Sequence, residues 1–368
     1  MKGQALGNPF KPAFGATPAV LAGREQVLAD VLEGLDSGPG DPNRTTIFVG
    51  PGGSGKTVLL SVLAAEAAQR GWIVAEMTAR EGLLGGIVEQ IETRAAHLIG
   101  PQDATHLTSL GGFGFSVGVQ RDDPPPRSWR ATVTSFLDAL AERGAGLLVT
   151  VDEVDPAVGE LVALVADYQH LVREGRQVAL VMAGLPGSVL RTLTDRSISF
   201  VRRATQRRIG NVPLADAALA LRQTVEQAGG VIEDAAATRA AQFTGGFPFL
   251  IQLVGYHAWR EAGPGSRITV RVTRRAIGAA TEAMDRMILE TTLAELSPRD
   301  VEFLRAMAVD SGASRLDELA LRMRTSGANA GQYRRRLIAA GVIESASRGL
   351  VRYQLPLLRD YLRRHPEP

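Results

Sequence analysis

The sequence predicts an α/β fold in which a parallel β-sheet carries helices on both faces, followed by a helical domain and a C-terminal winged helix-turn-helix. In the first part of the chain, short apolar runs alternate with helix-patterned segments, which is the order of a parallel sheet. Amphipathic helices separated by glycine pairs come next. The chain then orders three helices before a β-hairpin, as a winged helix-turn-helix does.

The sheet is predicted from four apolar runs with strand-like composition, at residues 45–49, 72–77, 147–151 and 178–183. Helical spacing of apolar side chains predicts the segments that cover the sheet, at 23–35, 57–70, 82–99, 129–143 and 159–174. Residues 111–120 break this rhythm, because Phe and Val alternate at period two before three prolines at 124–126. We expect an inserted strand or hairpin there; an ordinary edge strand or a substrate-contacting loop are the alternatives.

Changes in composition divide the chain into four regions. An extended lead-in rich in proline and glycine is predicted over residues 1–20, and the α/β domain over 21–212. A helical domain is predicted over 213–293, where no strand pattern of comparable strength occurs. The winged helix is predicted over 294–368, with helices at 298–308, 315–323 and 329–340 and strands at 342–343 and 350–354.

Composition also excludes several kinds of chemistry. The 368 residues include no cysteine, which removes disulfides, thiolate nucleophiles and cysteine-bound zinc. No segment approaches the roughly 18 apolar residues of a membrane span, and the N-terminus has no apolar export signal. We therefore expect a soluble protein of the cytoplasm without a membrane partner.

One motif carries an explicit chemistry. Residues 50–57 have the sequence GPGGSGKT, which fits the phosphate-binding pattern GxxxxGK[ST] between a strand and a helix. Glycines let backbone N–H groups approach a β-phosphate closely, and the following helix points its positive end at the anion. Lys56 would bridge the β- and γ-phosphates, and the Thr57 hydroxyl would bind Mg²⁺. The predicted ATP contacts of this loop are Gly50, Pro51, Gly52, Gly53, Ser54, Gly55, Lys56 and Thr57.

The lysine content supports this assignment. Of the 41 basic residues only three are lysines, and Lys56 is the only lysine after residue 11. In a chain that otherwise uses arginine, a compact ammonium at this position favours a phosphate-binding role over a glycine-rich turn with an accidental lysine.

Two carboxylates follow the apolar strand at 147–151. Asp152 would hold Mg²⁺ through water, and Glu153 would act as the general base that polarises the attacking water. An adjacent glutamate is typical of the phosphate-loop proteins that have an additional strand between the two motifs. Asp155 is expected to be a helix cap or a solvated acid.

With these residues in place, the chain resembles the AAA+ ATPases, in particular the archaeal and eukaryotic replication-initiator ATPases and the STAND signalling ATPases. The resemblance spans residues 8–362, and segments 50–57 and 147–153 resemble the Walker A and Walker B motifs. It implies a P-loop NTPase (AAA+/ASCE) fold with ATP and Mg²⁺ as cofactors. The Asn8-Pro9-Phe10 lead-in and the later Gly23-Arg24-Glu25 resemble the box that borders the adenine pocket, which implies ATP contacts at Gly23 and Arg24.

The resemblance implies further site residues. Gly246-Phe247-Pro248 resembles the GxP motif with which STAND lids approach the nucleotide, and this adds Pro248 to the ATP contacts. The strand at 178–182 is in the sensor-1 place, but neither Asn nor Thr stands at its end, and no sensor-2 arginine appears beside the GxP motif. In AAA+ rings and filaments a neighbouring copy donates an arginine to the γ-phosphate. Arg203 is the first choice for this finger and Arg202 the second; a solvated basic cluster is the alternative.

Positive charge is concentrated in the last region. Residues 297–368 hold 13 arginines and 8 acidic residues, a net charge of +5, whereas the other 296 residues have a net charge of −3. Arginines on the predicted recognition helix and wing are candidate phosphate contacts with double-stranded DNA: Arg334, Arg335, Arg336, Arg348 and Arg352. At most two of three successive residues on a helix can face one groove. A surface for protein docking or autoinhibition is the alternative.

Together these features predict an ATP-binding, Mg²⁺-dependent switch ATPase that hydrolyses ATP and engages DNA or a protein partner through the winged helix. One alternative is an ATP-gated DNA-binding regulator or initiator-like loader. The other is a STAND-like signalling scaffold that forms a homo-oligomer on ATP binding without DNA. A metabolic enzyme is disfavoured, because no second substrate-binding constellation is visible in the sequence.

Overall fold

The centre of the molecule is a five-stranded parallel sheet. The computed structural model describes residues 7–13, 15–95, 128–265 and 267–366. The strands are β1 (Thr45–Val49), β2 (Ile73–Thr78), β3 (Leu147–Asp152), β4 (Val178–Gly184) and β5 (Thr205–Arg208). The first four confirm the predicted strands, and their ends differ from the prediction by at most one residue.

The strand order is β2-β3-β4-β1-β5. Because β4 lies between β1 and β3, the additional strand that the adjacent carboxylates predict between the two motifs is confirmed. β5 is an edge strand of sequence Thr-Gln-Arg-Arg, with side chains alternately half-buried and exposed. Its lack of apolar residues explains why hydrophobic periodicity does not reveal it.

Helices cover both faces of the sheet, as the sequence predicts. On one face, α1 (Glu25–Ser37) and α2 (Lys56–Gln69) pack on a core that includes Phe48. On the other, α3 (Leu83–Ala95), α4 (Trp129–Ala141) and α5 (Gly159–Arg173) pack on a core that includes Ile47. Neighbouring residues of β1 thus enter opposite cores, because successive side chains of a strand point to opposite faces. A further helix, α6 (Pro186–Thr194), follows β4.

Some predicted features lie outside the described residues. These are the inserted strand or hairpin at 111–120, the three prolines at 124–126 and the last residues of the helix predicted at 82–99.

A helical region follows the sheet. Its elements are α7 (Leu214–Gln227), α8 (Asp234–Thr244), α9 (Pro248–Ala262), α10 (Val270–Met284), a π-helical turn (Asp285–Leu289) and α11 (Glu290–Ala294). Two strands, β6 (Val231–Ile232) and β7 (Arg267–Ile268), pair in parallel within it. They correct the expectation of a region without strands, since two residues are too few to show a period. No helix in the described parts of the chain is long and apolar enough to cross a membrane.

The rest of the described chain, here named the C-terminal module, spans residues 298–364. Its elements are α12 (Pro298–Ala308), β8 (Ser314–Arg315), α13 (Leu316–Arg322), α14 (Gly327–Ala339), β9 (Ile343–Ser347), β10 (Leu350–Tyr353) and α15 (Leu358–Arg364). The three helices and the hairpin occur where the sequence predicts them. β8 and α15 are additional, and β10 pairs antiparallel with both β8 and β9.

The C-terminal module packs against the end of the sheet that carries the phosphate loop. A Cβ placed on Gly187, in α6, would lie 2.4 Å from the Cβ of Ala339, at the end of α14. A Cβ on Gly341 would lie 3.2 Å from the Cα of Pro51. Glycines on both sides of this interface therefore allow the two backbones to approach closely.

Candidate functional site

The phosphate loop joins the end of β1 to the start of α2. Gly53 and Gly55 have φ angles of 75° and 88°, in the left-handed region that glycine enters without a steric penalty. A Cβ on Gly53 would also lie 2.6 Å from Cζ of Phe247, so this position needs glycine for space as well. The loop leads directly into the first turn of α2, whose N–H groups have no partner within the helix. This arrangement is suited to binding an anion.

Lys56 lies within the loop and contacts its backbone. The Lys56 ammonium donates hydrogen bonds to the carbonyl oxygens of Gly50, at 2.9 Å, and Pro51, at 2.8 Å. Burial lowers the pKa of Lys56, while the nearby carboxylates of Asp152 and Glu153 act in the opposite direction. An ammonium with three donors can exchange a carbonyl oxygen for a phosphate oxygen without leaving the loop.

The two motifs meet at Thr57 and Asp152, 95 positions apart in the chain. The Thr57 hydroxyl donates a hydrogen bond to Asp152 Oδ2 over 2.5 Å. α2 begins immediately before Thr57, and β3 ends at Asp152, so the contact depends on how the helix and the sheet pack. A hydroxyl and a carboxylate offer oxygen ligands of the kind that Mg²⁺ prefers, and the pair therefore fits this ion.

Glu153 has an unusual backbone conformation. Its φ angle is 54°, in the left-handed region that few non-glycine residues occupy, and its N–H donates to Asp152 Oδ1 over 2.8 Å. Strained backbone of this kind is concentrated at functional sites, where the surrounding structure enforces it. Asp155 is engaged elsewhere: it accepts a hydrogen bond from the N–H of Ala157 and forms an ion pair with Arg191 at 2.8 Å.

The end of β4 explains why no polar sensor residue stands there. The strand ends at Gly184, and a Cβ at this position would lie 2.7 Å from Cγ2 of Val154 and 3.1 Å from Cγ2 of Val189. Local packing thus leaves no space for the side chain of Asn or Thr. In the described site, no side chain at the end of β4 can therefore orient a water molecule.

A cavity of about 170 Å³ extends from the phosphate loop between the N-terminal lead-in and the helical region. Part of its lining is apolar and includes residues such as Pro18, Leu21, Phe249 and Ile288. Pro248, predicted from the GxP motif, is the first residue of α9 and lines the cavity beside Gly55. Such a cavity suits a flat base whose attached phosphates lie at the loop.

Arg24 is buried next to this cavity, with 8% of its surface exposed. Its guanidinium donates to the carbonyl oxygens of Gly23, of Ser54 in the phosphate loop and of Gly210 in the segment before α7. Burial lowers the pKa of Arg24. Arg24 therefore lies beside the loop and connects three segments of backbone. Gly23 lies against Val212 and Pro213.

The sequence did not predict two contacts that the helical region makes near the site. The fully buried ring of Phe247 covers Gly53, and Phe10 of the lead-in packs against Gly255 in α9, where a Cβ would lie 2.3 Å from the ring. Phe247 occupies the variable position of the GxP motif, so the motif contained the residue but gave it no role.

The two candidate fingers lie in a short 3-10 helix, Ser199–Arg203, immediately before β5. Because β5 runs parallel to β1, Arg203 lies at the end of the sheet opposite the phosphate loop, a strand length of about 13 Å away. Arg202 donates to the carbonyl oxygen of Leu193 over 2.8 Å, and Arg203 lines a second cavity with Tyr168. Neither arginine is therefore part of the loop site of its own chain.

The candidate DNA contacts differ in how they are engaged. Arg336 forms an ion pair with the buried Asp300 at 2.7 Å, and Arg352 pairs with Glu344 at 2.5 Å. Arg334 donates to the hydroxyl of Ser345 over 3.3 Å. Arg335 in α14 and Arg348 in the hairpin turn are exposed. Three successive arginines thus point in different directions, as helical geometry requires.

The loop, the adjacent carboxylates and the strand order define a P-loop ATPase domain of the AAA+ class. Residues 20–182 match the AAA ATPase domain family, so this part of the chain is such a domain. Residues 286–362 match a family described as a domain of unknown function, DUF8462. No functionally curated protein matches the chain.

Solved structures share the fold over nearly the whole chain. A Walker-type ATPase of Pyrococcus abyssi is 16% identical, with 93% of this chain and 96% of that chain covered and a TM-score of 0.63. Cdc6p from Pyrobaculum aerophilum is 17% identical, with 96% of each chain covered and a TM-score of 0.50. At these identities the likeness concerns the fold alone, and it agrees with the AAA+ architecture of the sheet.

Proposed function

We propose that this protein binds ATP together with Mg²⁺ and hydrolyses it, and that it acts as a nucleotide-driven switch. The observation that carries the proposal is the hydrogen bond between Thr57 and Asp152. It joins the phosphate loop, directly after Lys56, to the end of the strand that carries the two carboxylates. The carboxylates of Asp152 and Glu153 are also close enough to the Lys56 ammonium to act on its pKa.

Each group has a proposed role in binding. The N–H groups of residues 50–57 and the Lys56 ammonium would hold the β- and γ-phosphates. Thr57 and Asp152 would hold Mg²⁺, which when bound neutralises the charge of the phosphate oxygens. The base would lie in the apolar part of the cavity, beside Arg24 and Pro248. Gly23, which precedes Arg24, remains a proposed contact from the resemblance alone.

Hydrolysis requires a base and charge stabilisation. Glu153 would accept a proton from the water that attacks the γ-phosphorus, while the bond from that phosphorus to the β–γ bridging oxygen breaks and leaves ADP and phosphate. Without a polar residue at Gly184, the chain lacks one means of orienting this water, and we expect slow turnover. Because Arg203 and Arg202 lie far from the loop of their own chain, either would act as a finger only in an assembly, on the nucleotide of a second copy.

The exposed arginines of the C-terminal module favour a second candidate function, an ATP-gated DNA-binding regulator or loader. We propose that the module is a winged helix, because three helices precede a β-hairpin in it. In this arrangement α14 and the hairpin present Arg335 and Arg348 to solvent. A scaffold that assembles on ATP binding without DNA would use the same ATPase site but would not need these arginines.

The central test is ATP hydrolysis measured with and without double-stranded DNA. Glu153→Gln should reduce turnover at least 100-fold and still bind ATP, because it removes the base but keeps the loop. Lys56→Ala should weaken ATP binding itself. The proposal is wrong if the wild-type protein neither binds nor hydrolyses ATP, or if Lys56→Ala binds ATP as well as the wild type. ATP-dependent assembly without DNA, detected by light scattering, would favour the scaffold.

A further inference from the structure

A long helix connects the nucleotide cavity to the C-terminal module. It runs through α10, the π-helical turn Asp285–Leu289 and α11, and it ends directly before the first helix of the module. Single π-helical turns inside α-helices are rare, and many of those that occur lie at functional sites. The extra residue of such a turn displaces the side chains around it. This turn therefore marks a place where the helix departs from regular geometry.

One side of the turn faces the cavity. Ile288 is part of the apolar lining of the same cavity that the phosphate loop lines. It is partly buried and packs on the core of the helical region. Two members of that core, Met284 immediately before the turn and Leu289 at its end, are fully buried. A change in the geometry of the turn must therefore move Ile288 or disturb that core.

Another side chain of the turn is bound by the C-terminal module. Asp285 is buried, with 7% of its surface exposed, and Arg364 of α15 binds it with both terminal nitrogens, at 2.9 Å and 3.1 Å. A buried carboxylate requires such a partner, and a bidentate guanidinium also fixes its orientation. The position of α15 thus determines how the carboxylate of Asp285 is held, three residues from Ile288.

We infer that Asp285 and Arg364 are positioning residues for the nucleotide base, which the C-terminal module holds in place by fixing the turn that carries Ile288. The inference rests on the proposed function, since it assigns the base to the apolar part of the cavity lining. It follows that base binding and the docking of α15 are linked, and each strengthens the other. The phosphates, which contact the loop and not the turn, take no part in this linkage.

The test compares two ligands by calorimetry: ATP with Mg²⁺, and inorganic tripolyphosphate with Mg²⁺, which has no base. Asp285→Asn keeps the size of the side chain but weakens its bond to Arg364. We expect this variant to bind ATP about fivefold more weakly, with tripolyphosphate affinity unchanged within about twofold. Met287→Ala, in the same turn but 41% exposed, is the matched control and should bind both ligands as the wild type does.

A purely structural role would weaken both ligands together or neither, and either result would overturn the inference. If Asp285→Asn does not fold, Arg364→Lys gives the same comparison, because lysine keeps the charge but not the planar pair of donors. Wild-type protein that binds tripolyphosphate and ATP equally would also overturn the inference and leave phosphate binding intact. Wild-type protein that binds neither ligand would refute the proposed function itself.

Discussion

At the residue scale, the phosphate loop depends on a contact that its sequence motif does not contain. The ring of Phe247 lies over Gly53 and is fully buried, so the loop is held from the side of the helical region as well as from the sheet. Gly53 combines a left-handed φ with no space for a Cβ. Its neighbour Gly52 has open space around it and no such φ constraint.

This difference predicts the effect of two alanine substitutions on stability without nucleotide. Gly53→Ala should lower the free energy of unfolding by about 2–4 kcal/mol, since it adds left-handed strain and a contact with Phe247. Gly52→Ala should leave it unchanged or raise it by up to about 1 kcal/mol. Urea denaturation of both variants checks this prediction. Equal stability of the two would mean that Phe247 does not hold the loop.

At the scale of elements, α6 and α14 form the contact through which the C-terminal module reaches the ATPase domain. α6 follows β4, the strand that lies between β1 and β3 in the sheet. The two helices approach each other closely because Gly187 in α6 lies opposite Ala339 in α14. Gly341 and Pro51 extend it to the phosphate loop. The module is therefore packed on the same end of the sheet as the nucleotide site.

Alanine at Gly187 should separate these helices. Its Cβ would meet both the Cβ and the Cα of Ala339, at 2.4 Å and 2.8 Å, and backbone cannot move aside as a flexible side chain can. We expect Gly187→Ala to destabilise the protein by about 1–3 kcal/mol. Gly278→Ala, at an exposed position of α10 with open space, is the matched helical control and should stabilise by about 0.5–1 kcal/mol. Thermal unfolding of the two variants checks this prediction. An equal shift of the melting temperature in both would contradict a close contact between α6 and α14.

At the scale of the whole molecule, the charge of the chain is divided between two parts. The C-terminal 72 residues carry a net charge of +5 and the other 296 a net charge of −3. Part of the positive charge is compensated within the module, because Arg336 and Arg352 are ion-paired. Among the residues that the structure describes, Arg335 and Arg348 are the candidate DNA contacts that are exposed and have no such pair.

If the module binds DNA, these two arginines should set part of its salt dependence. Replacing both Arg335 and Arg348 by alanine should reduce the slope of log affinity against log salt concentration by about 2, since each phosphate contact contributes about 0.9. Arg299→Ala, which removes an arginine paired with Glu302 in the same module, should leave the slope unchanged. Fluorescence anisotropy with duplex DNA over a salt series measures it. Absent or salt-independent binding by the wild type would favour a protein partner.

The sequence by itself determined the local features of this protein. The four central strands, the phosphate loop and the carboxylate strand follow from hydrophobic periodicity and from a motif whose residues are neighbours in the chain. The order of helices and hairpin in the C-terminal module follows from the same periodicity. The strands β5, β6 and β7 could not be predicted in this way, because a polar edge strand and two-residue strands show no hydrophobic periodicity.

Only the tertiary structure decided which distant groups meet. Whether Thr57 reaches Asp152, and whether Phe247 covers Gly53, depends on how whole elements pack, and no local pattern encodes such distances. The same holds for the division of the arginines into ion-paired and exposed, and for the contact of Arg364 with Asp285. Local chemistry is written in short segments, whereas a site built across elements exists only after the cores between them have formed.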